Sequence, residues 1–472
     1  MAEAARVVGS SKQLFLDELW FGQRQGVELV VNRPRQTGER CLVADRPWES
    51  HRICAYNSVI EDGGLKMWYD AIANDGSRWL CYATSQDGVH WEKPALGLVP
   101  FGERRDTNIV HPAQPSQYEP SCVFIDANPK CPPEQRYKLA YYLYSPQEEG
   151  IYVAASGDGL RWQQLGRAFR GSDTANICFF DTRLGRYVAY VRVWQPLRKV
   201  GRCETDELTD WGQEQVVFSY DDQDEQGLDR ELFSGMDFYT SAALKYPGAE
   251  EAYFLFPTAY YHYHPEVAER LGRERGRPWG GWGNDGPMDI QFATSRDGIN
   301  WRRLDREPFI RLGLTGSWEG GYAYMASGCV LRQDEVWLYY AVDECTHGNY
   351  EVARDKNGGT ITRAVLRRDG FVSADAGYGG GEFTTPPLQF AGRELHLNVD
   401  TSAGGHVVVE VQDQAGRAIA GLGAAQCMPI NGNYIDTAVA WQEGGRLAAL
   451  AGQPVRLRFL MRDARLYAFQ FR

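Results

Sequence analysis

The sequence predicts an all-β fold, a five-bladed β-propeller followed by a C-terminal β-sandwich. Three observations predict it: a ten-residue phrase recurs, its copies are evenly spaced, and the composition changes near residue 374. The phrase reads YATSQDGVHW at 82–91, VAASGDGLRW at 153–162 and FATSRDGINW at 292–301. Strand-rich repeats of constant length are typical of sheets arranged radially around an axis.

The shared kernel, A-x-S-x-D-G-x-x-W, predicts a short strand and a tight turn, because Gly accepts a positive φ and Asp bonds its own backbone. Asp87 and Asp158 are 71 residues apart, and Asp297 follows after 139 residues, about two such intervals. A degenerate copy places Asp369 another 72 residues on, and RCETDELTDW at 202–211 is the best candidate for the missing copy. The chain therefore contains five units of about 70 residues. Because the repeat Asp residues recur at hairpins, we assign them a structural role.

Two strand patterns, LFLDELW and VELVVNRP, precede the repeats within residues 12–45. We expect this segment to lie along the propeller or to close its ring. Asp17, in LFLDELW, could be catalytic or a salt-bridge partner, and we favour the structural role.

Each unit then shows three strand patterns in the same order. Unit one has ICAYNSVI, LKMWYDAI and RWLCYATS, which are an apolar strand with small residues, an aromatic strand and the repeat strand. Small residues suit the first strand because the inner strands of a propeller converge on a crowded centre. The predicted propeller domain covers residues 12–375.

Two insertions interrupt the units. DDQDEQGLDRE at 221–231 is an acidic loop, and 265–288 carries the helix pattern PEVAERLGRERGR followed by WGGWGNDGP. Such insertions lie at the rims of propellers. We expect the helix to be structural or to form the contact of a homo-oligomer.

The composition changes at ADAGYGGGEFTTPP, which resembles a linker. After it, LHLNVDTS, HVVVEVQD and PVRLRFLMRDARLYAFQF alternate polar and apolar residues and predict a β-sandwich over 386–472. Tyr434 and Trp441 are its only plausible exposed aromatic pair. We therefore expect the sandwich to buttress the propeller.

Composition limits the classes of partner. The net charge of −12, without a basic patch, argues against a nucleic-acid partner. No apolar run reaches ~18 residues and no signal-peptide pattern opens the chain, so no membrane contact or export is expected. The ten cysteines show no CxxC pair or zinc spacing, which predicts reduced thiols in a cytoplasmic protein. His262 and His264 have metal-like spacing for a strand, but they lack a third ligand, so no metal or other cofactor is expected.

Acidic residues lie where the inner strand of each unit should begin and face a central funnel. They are Glu49, Glu119, Asp173, Asp237 and Glu319. A ring of acids is costly unless it binds a cation or performs acid–base work. Glycoside hydrolysis needs two carboxyl groups of separated pKa, one to protonate the leaving oxygen and one to attack or to activate water. For any single acid, a turn or a cap is the alternative role.

Aromatic and polar residues near the same strand ends complete the predicted site, because aromatic rings can stack on sugar faces. The expected substrate-binding residues are Trp48, His51, Arg52, Tyr239, Trp318, Tyr324, Asp343 and His347. Asp343 and His347 follow the second strand of unit five, whose end should return toward one face. For these two residues, a substrate contact and a structural role are equally open.

This organisation resembles the five-bladed propeller glycoside hydrolases, the superfamily of invertase, levansucrase and arabinanase that includes families 32 and 43. The propeller followed by a sandwich is similar to family 32, and ATSQDGVHWEKPALG at 83–97 resembles the phrase that ends a blade there. The W-M-N-D-P-N-G and R-D-P motifs of family 32 are absent. By position alone, the resemblance implies three catalytic acids, Glu49, Glu119 and Asp173, with Asp237 and Glu319 as rivals. The repeat phrase also resembles the structural Asp-box of sialidases, which have six blades and an arginine triad.

The expected function is hydrolysis of a glycosidic bond in a small oligosaccharide or glycoside. Glu119 or Asp173 would be the general acid, and Glu49 or Asp237 the base or nucleophile. One alternative is a carbohydrate-binding protein without catalysis. Another is a lyase or isomerase acting on sugars, which would need a metal or a His/Tyr pair near the axis.

Overall fold

The computed structural model describes residues 4–111, 118–144, 148–169, 172–173, 175–271, 284–349, 358–442 and 446–472. Regular structure in these ranges is mostly β-strand, with two short α-helices, α1 (Asp222–Gly227) and α2 (Pro265–Arg270). The prediction of an all-β chain is confirmed. Short 3₁₀ helices include Glu18–Trp20, Pro47–Glu49, Pro133–Gln135, His347–Asn349 and Leu447–Leu450. In the described ranges no helix has the length and apolar character needed to cross a bilayer.

The first six strands serve two parts of the fold. They are β1 (Arg6–Gly9), β2 (Gln13–Leu14), β3 (Gln23–Gln25), β4 (Val27–Val31), β5 (Arg35–Gln36) and β6 (Leu42–Val43). β5 and β6 pair with the strand Thr360–Arg367, whereas β1–β4 pair with strands beyond residue 371. The segment 6–31 therefore joins the C-terminal sheets, which differs from the expected start of the first domain at residue 12. Asp17 accepts hydrogen bonds from the Leu19 amide and from Arg296, at 3.1 and 3.0 Å, in a structural role.

Three four-stranded antiparallel sheets follow, each made of consecutive strands. The first holds β7 (Arg52–Glu61), β8 (Leu65–Ile72), β9 (Arg78–Ser85) and β10 (Ile109–His111). The second holds β11 (Tyr118–Ile125), β12 (Tyr137–Leu143), β13 (Gly150–Ser156) and β14 (Gln163–Phe169). The third holds β15 (Ile177–Asp181), β16 (Arg186–Trp194), β17 (Arg198–Thr205) and β18 (Gln215–Phe218). The first three strands of each sheet correspond to the three strand patterns read in the sequence.

The fourth and fifth units share one nine-stranded sheet, joined by a parallel pair between Met288 and Tyr322. The fourth unit holds β19 (Phe233–Phe238), β20 (Leu244–Lys245), β21 (Tyr253–Leu255), β22 (Thr258–Tyr263), β23 (Met288–Ile290) and β24 (Ala293–Ser295). The fifth holds β25 (Tyr322–Met325), β26 (Val330–Arg332), β27 (Glu335–Asp343) and β28 (Thr360–Arg367). β20, β21 and β24 form a separate three-stranded sheet, and β5 and β6 extend the fifth unit at β28.

The repeat aspartates stabilise the turns between strands. Asp87, Asp158 and Asp297 each accept two backbone N–H bonds, from the residues two and three positions later, at 2.8–2.9 Å. The degenerate copy, Asp369, is buried and bonds the Tyr246 hydroxyl at 2.9 Å. The structural role expected for these residues agrees with their contacts.

Two six-stranded sheets form the C-terminal part. Besides β1–β4, its strands are β29 (Val372–Ala376), β30 (Gly381–Thr384), β31 (Leu388–Phe390), β32 (Leu395–Asp400), β33 (His406–Asp413), β34 (Asn433–Ala438), β35 (Val455–Arg462) and β36 (Ala464–Phe471). Apolar side chains of both sheets share one buried cluster, in which the Phe459 ring lies 4.8 Å from Phe383 and 6.2 Å from Phe469. Trp441 is buried here, so Tyr434 alone of the expected aromatic pair is exposed.

Candidate active site

Charged side chains meet at one end of the repeated sheets. In unit one, β7 begins at Arg52, β8 carries Asp70 near its end and β9 begins at Arg78. Because neighbouring strands are antiparallel, the start of the first strand, the end of the second and the start of the third lie at the same edge. In the other units strand ends supply most of the remaining residues of the candidate site, and Asp237 lies one residue before the end of β19.

Arg78 connects two acids from neighbouring units. Its Nε lies 2.9 Å from both carboxylate oxygens of Asp70, and its Nη1 lies 2.8 Å from Oε1 of Glu119. The Tyr144 hydroxyl donates to the other oxygen of Glu119. Burial raises the pKa of Glu119, and the charges of Asp70 and Asp173 add to this, although Arg78 and Tyr144 act in the opposite direction. The Glu119 carboxyl is therefore oriented from both sides and holds its proton more firmly than an exposed glutamic acid.

Asp237 forms a second buried ion pair with Arg198. Arg198 Nη1 lies 3.0 Å from Asp237 Oδ2, and His262 Nε2 lies 3.4 Å from Oδ1. Burial alone would raise the pKa of Asp237, but Arg198 and His262 outweigh it and the pKa is lowered. Asp237 therefore loses its proton more readily than an exposed aspartic acid, whereas Glu119 keeps its proton more firmly than an exposed glutamic acid.

Tyr239 lies near both of these groups. The guanidinium carbons of Arg192 and Arg198 are 4.4 and 4.8 Å from its ring centroid. Arg192 Nη1 lies 2.9 Å from Asp173 Oδ1, and Nη2 donates to the Tyr239 carbonyl at 2.5 Å. Burial raises the pKa of Tyr239, and the charges of Glu119 and Asp173 contribute in the same direction. The acids of units two, three and four thus surround one aromatic ring.

The fifth unit borders the same ring. Arg52 Nη2 lies 3.3 Å from Asp343 Oδ2, and Nη1 donates to the Tyr322 hydroxyl at 2.8 Å. The His347 ring centroid lies 4.7 Å from that of Tyr239. Burial, together with the nearby arginines, lowers the pKa of His347 well below its usual value, which favours the neutral imidazole.

Most of these groups are buried, but two polar ones reach solvent. The Asp173 side chain is 29% exposed and Tyr144 is 47% exposed. Tyr324, 5.5 Å from the Tyr239 ring, continues the aromatic lining inward. A ligand can therefore approach the acids beside Asp173 and Tyr144.

The structure brings many of the predicted site residues together. They are Glu119, Asp173, Asp237, Arg52, Tyr239, Tyr324, Asp343 and His347. His51, next to Arg52, is also buried and accepts the Gly358 amide at its carbonyl.

Glu49 and Trp48 lie elsewhere, inside the first unit, and this corrects the expectation that they face the funnel. Glu49 is fully buried and accepts from Lys93 Nζ at 2.6 Å, from the Tyr69 hydroxyl at 2.7 Å and from two backbone amides. Trp48 donates to Asn108 at 2.9 Å. The partners of both residues lie within residues 45–108, and none of them is among the charged groups around Tyr239, so we leave Glu49 and Trp48 out of the candidate site.

Glu319 and Trp318 also lie apart from the other acids. Glu319 lies near Tyr340, whose pKa is raised to about 12 by burial and, to a smaller extent, by the charge of Glu319. The Tyr340 hydroxyl in turn accepts a hydrogen bond from Gln36 of the edge strand β5. Arg40 stacks over Trp318 at 5.6 Å. The inner strand of unit five begins at Tyr322, after this segment, so the expected register was wrong there.

Site residues were predicted from the sequence mainly at the starts of first strands. Polar residues at the ends of second strands and at the starts of third strands were missed. Asp70, Arg192 and His262 lie near the ends of second strands, and Arg78 and Arg198 begin third strands. The argument that selected Asp343, the end of a second strand returning to one face, applies equally to Asp70 and Arg192 and would have found them. His262 had been considered only as a metal ligand, and among the described residues no three His, Cys, Asp or Glu side chains are grouped to hold a metal.

No protein-family model matches the chain. An uncharacterized protein of Mycobacterium tuberculosis strain CDC 1551 / Oshkosh is 29% identical over 153 residues, which covers 29% of this chain and 45% of that protein. An uncharacterized protein of strain H37Rv matches to the same extent. The chain thus spans less than half of the length of these relatives.

Solved structures with a similar chain path include glycoside hydrolases. A glycosyl hydrolase from Bacteroides ovatus has a TM-score of 0.47 at 16% identity, over 75% of this chain and 96% of that chain. A thermostable family-43 glycoside hydrolase has a TM-score of 0.44 at 12% identity, over 72% and 96%. A β-1,2-mannobiose phosphorylase from Listeria innocua has a TM-score of 0.45 at 11% identity, over 71% and 97%.

Proposed function

We propose that the chain is a glycoside hydrolase that cleaves an oligosaccharide or glycoside, with Glu119 as general acid and Asp237 as base or nucleophile. One observation carries the proposal: the charge of Glu119 acts on Tyr239, Asp237 pairs with the Arg198 that lies over the same ring, and the pKa values of the two acids are shifted in opposite directions. Glycoside hydrolysis needs one carboxyl group that is protonated and one that is ionised at the same pH.

The proposed frame is the five-bladed propeller followed by a β-sandwich. The first three units have the same strand order, and a parallel bridge between Ser58 of β7 and Ser327 of the fifth unit supports a closed ring. β5 and β6 would complete the last blade. β1–β4 would belong to the sandwich together with their partners β29 and β30, so we assign residues 6–31 to it together with 372–472.

Each neighbouring residue has a role in this mechanism. Arg78 and Tyr144 orient the Glu119 carboxyl toward the leaving oxygen, while Arg198 and His262 keep Asp237 ionised. Asp173, which is more exposed, would bind sugar hydroxyls, and the ring of Tyr239 would stack against a sugar face.

Turnover of aryl glycosides tests the proposal, with furanosides and pyranosides of both anomers as substrates. Glu119→Gln and Asp237→Asn should each lower kcat by about 10²-fold or more while circular dichroism stays unchanged. Asp206→Asn, at a side chain that is 75% exposed, is the matched control and should keep full turnover. Saturable sugar binding without any turnover would instead favour a carbohydrate-binding protein, in which the arginines hold the acids to bind hydroxyl groups.

A further inference from the structure

Two arginines, Arg192 and Arg198, lie deep in the candidate site. The positions of their N–H donors indicate which chemical class of ligand the site binds. Arg192 is 7% exposed and Arg198 is 6% exposed. The Arg198 guanidinium lies between two rings, 4.6 Å from Trp194 and 4.8 Å from Tyr239, and that of Arg192 lies 4.4 Å from Tyr239. The rings fix both guanidinium groups in place.

The acid partners leave some of these donors without an acceptor. Asp173 engages one terminal nitrogen of Arg192, and Asp237 engages one of Arg198. In the described part of the chain, neither Arg192 Nε nor Arg198 Nε has a hydrogen-bond acceptor, although both atoms are buried. A guanidinium offers five donors in a planar fork, and a buried donor without an acceptor is costly. A ligand that supplies acceptor oxygens would remove that cost.

Further positive charge lies nearby. Arg52 of the first unit also lies near His347. The pKa of His347 is lowered by burial and then by Arg198, His262, Arg192 and Arg52. Asp173, Asp237 and Asp343 each balance one arginine, and Glu119, when protonated, adds no negative charge. The region around Tyr239 and His347 can therefore accept an anion without an excess of negative charge.

We propose that Arg192 and Arg198, which both lie over the ring of Tyr239, form a subsite for an oxyanion of the ligand. Guanidinium groups match carboxylate and phosphate oxygens in geometry as well as in charge. The oxyanion has two sources: an acidic group on the sugar, such as the carboxylate of a uronic acid, or free inorganic phosphate. For the sugar, the inference rests on the proposed glycoside hydrolase function.

Calorimetric binding of glucuronate and galacturonate, compared with glucose and galactose at equal ionic strength, tests the subsite without requiring turnover. The uronates should bind about tenfold or more tightly than the neutral sugars, and Arg192→Gln and Arg198→Gln should remove that preference. Arg104→Gln, at an exposed arginine paired with Asp106, should leave it unchanged. Equal affinity for uronates and neutral sugars in the wild type, with no binding of phosphate, would overturn the proposal.

A phosphate titration identifies the source of the anion. Saturable phosphate binding that Arg198→Gln abolishes, together with faster turnover of neutral glycosides in phosphate, would assign the subsite to free phosphate. If the glutamine variants do not fold, Arg198→Lys, which keeps the charge but loses the fork, should bind uronates more weakly than wild type. If the protein hydrolyses neutral glycosides but binds neither uronates nor phosphate, the oxyanion subsite is wrong and the hydrolase function stands. If it binds uronates but turns over no glycoside, the hydrolase function is wrong and the subsite stands.

Discussion

Tyr339 of the fifth unit donates its hydroxyl to the carbonyl of Gly88, in the repeat turn of the first unit, at 2.9 Å. Corresponding bonds join other units: Trp68 donates to the Gly159 carbonyl and Tyr190 to the Gly298 carbonyl, each at 2.7 Å. In each case an aromatic residue of a second strand reaches the Asp-Gly turn of another unit. The repeated phrase thus forms a hairpin and also attaches one sheet to its neighbour.

Removing the Tyr339 hydroxyl should weaken the contact between the first and fifth units. Tyr339→Phe is expected to lower the free energy of unfolding by about 1 kcal/mol, because the buried Gly88 carbonyl loses one donor and keeps Trp91 Nε1 at 3.2 Å. Urea unfolding followed by fluorescence measures the change. Tyr378→Phe, at a residue that is 74% exposed, is the control. Equal unfolding midpoints for both variants would show that the bond does not contribute.

Asp297 should make stability depend on pH in the acid range. Burial would raise its pKa, but hydrogen bonds, chiefly from Asn300, lower it to about 2. Because the folded pKa lies below the unfolded one, this contribution is present above about pH 4 and is lost as pH falls toward about 2. Urea unfolding of wild type and Asp297→Asn at about pH 5 and about pH 3 should give a stability difference that shrinks at the lower pH. A difference that does not change with pH would contradict the assignment.

Part of this molecule follows from local sequence patterns and part does not. The strand order of the first three units and the inner-strand acid Glu119 could be predicted, since alternation and Asp-Gly turns fix which residues begin a strand. Asp237 was also selected, but it lies one residue before the end of β19 and not at its start. Glu49 could not be placed, because a short 3₁₀ turn directs it into the first unit, toward Lys93. The pairing of Arg78 with Glu119 joins two sheets, and no pattern within either unit encodes such a contact.

The pairing of the N-terminal strands with the C-terminal sheets could not be predicted for the same reason. β4 alternates like any surface strand, but its partner is β29, more than 300 residues later. Contacts of this sequence separation depend on the packing of whole sheets, so the repeat count alone suggested that the segment belonged with the propeller.

Asp70 should set the upper pH limit of activity through Glu119. Its charge contributes to the raised pKa of Glu119, after burial, and it also shares Arg78 with that residue. Asp70→Asn removes a negative charge and leaves Arg78 to Glu119 alone, and both effects lower the pKa of Glu119. The general acid then loses its proton earlier, so the basic limb of kcat/KM against pH should move to lower pH by about one unit. Asp206→Asn should leave the profile unchanged, and a shift to higher pH would be inconsistent with Glu119 as the acid.

Lys93 should be needed for stability because Glu49 is buried beside it. Its Nζ lies 2.6 Å from Glu49 Oε2, and the two side chains are 4% and 0% exposed. Lys93→Met leaves a buried carboxylate without its cation and is expected to lower the free energy of unfolding by roughly 3–5 kcal/mol, measured by urea unfolding. Combining it with Glu49→Gln removes the uncompensated charge and should restore part of the loss. The folded double variant should hydrolyse glycosides at a rate close to wild type, because both residues lie outside the proposed catalytic pair. Loss of turnover in fully folded Glu49→Gln would return Glu49 to the catalytic set.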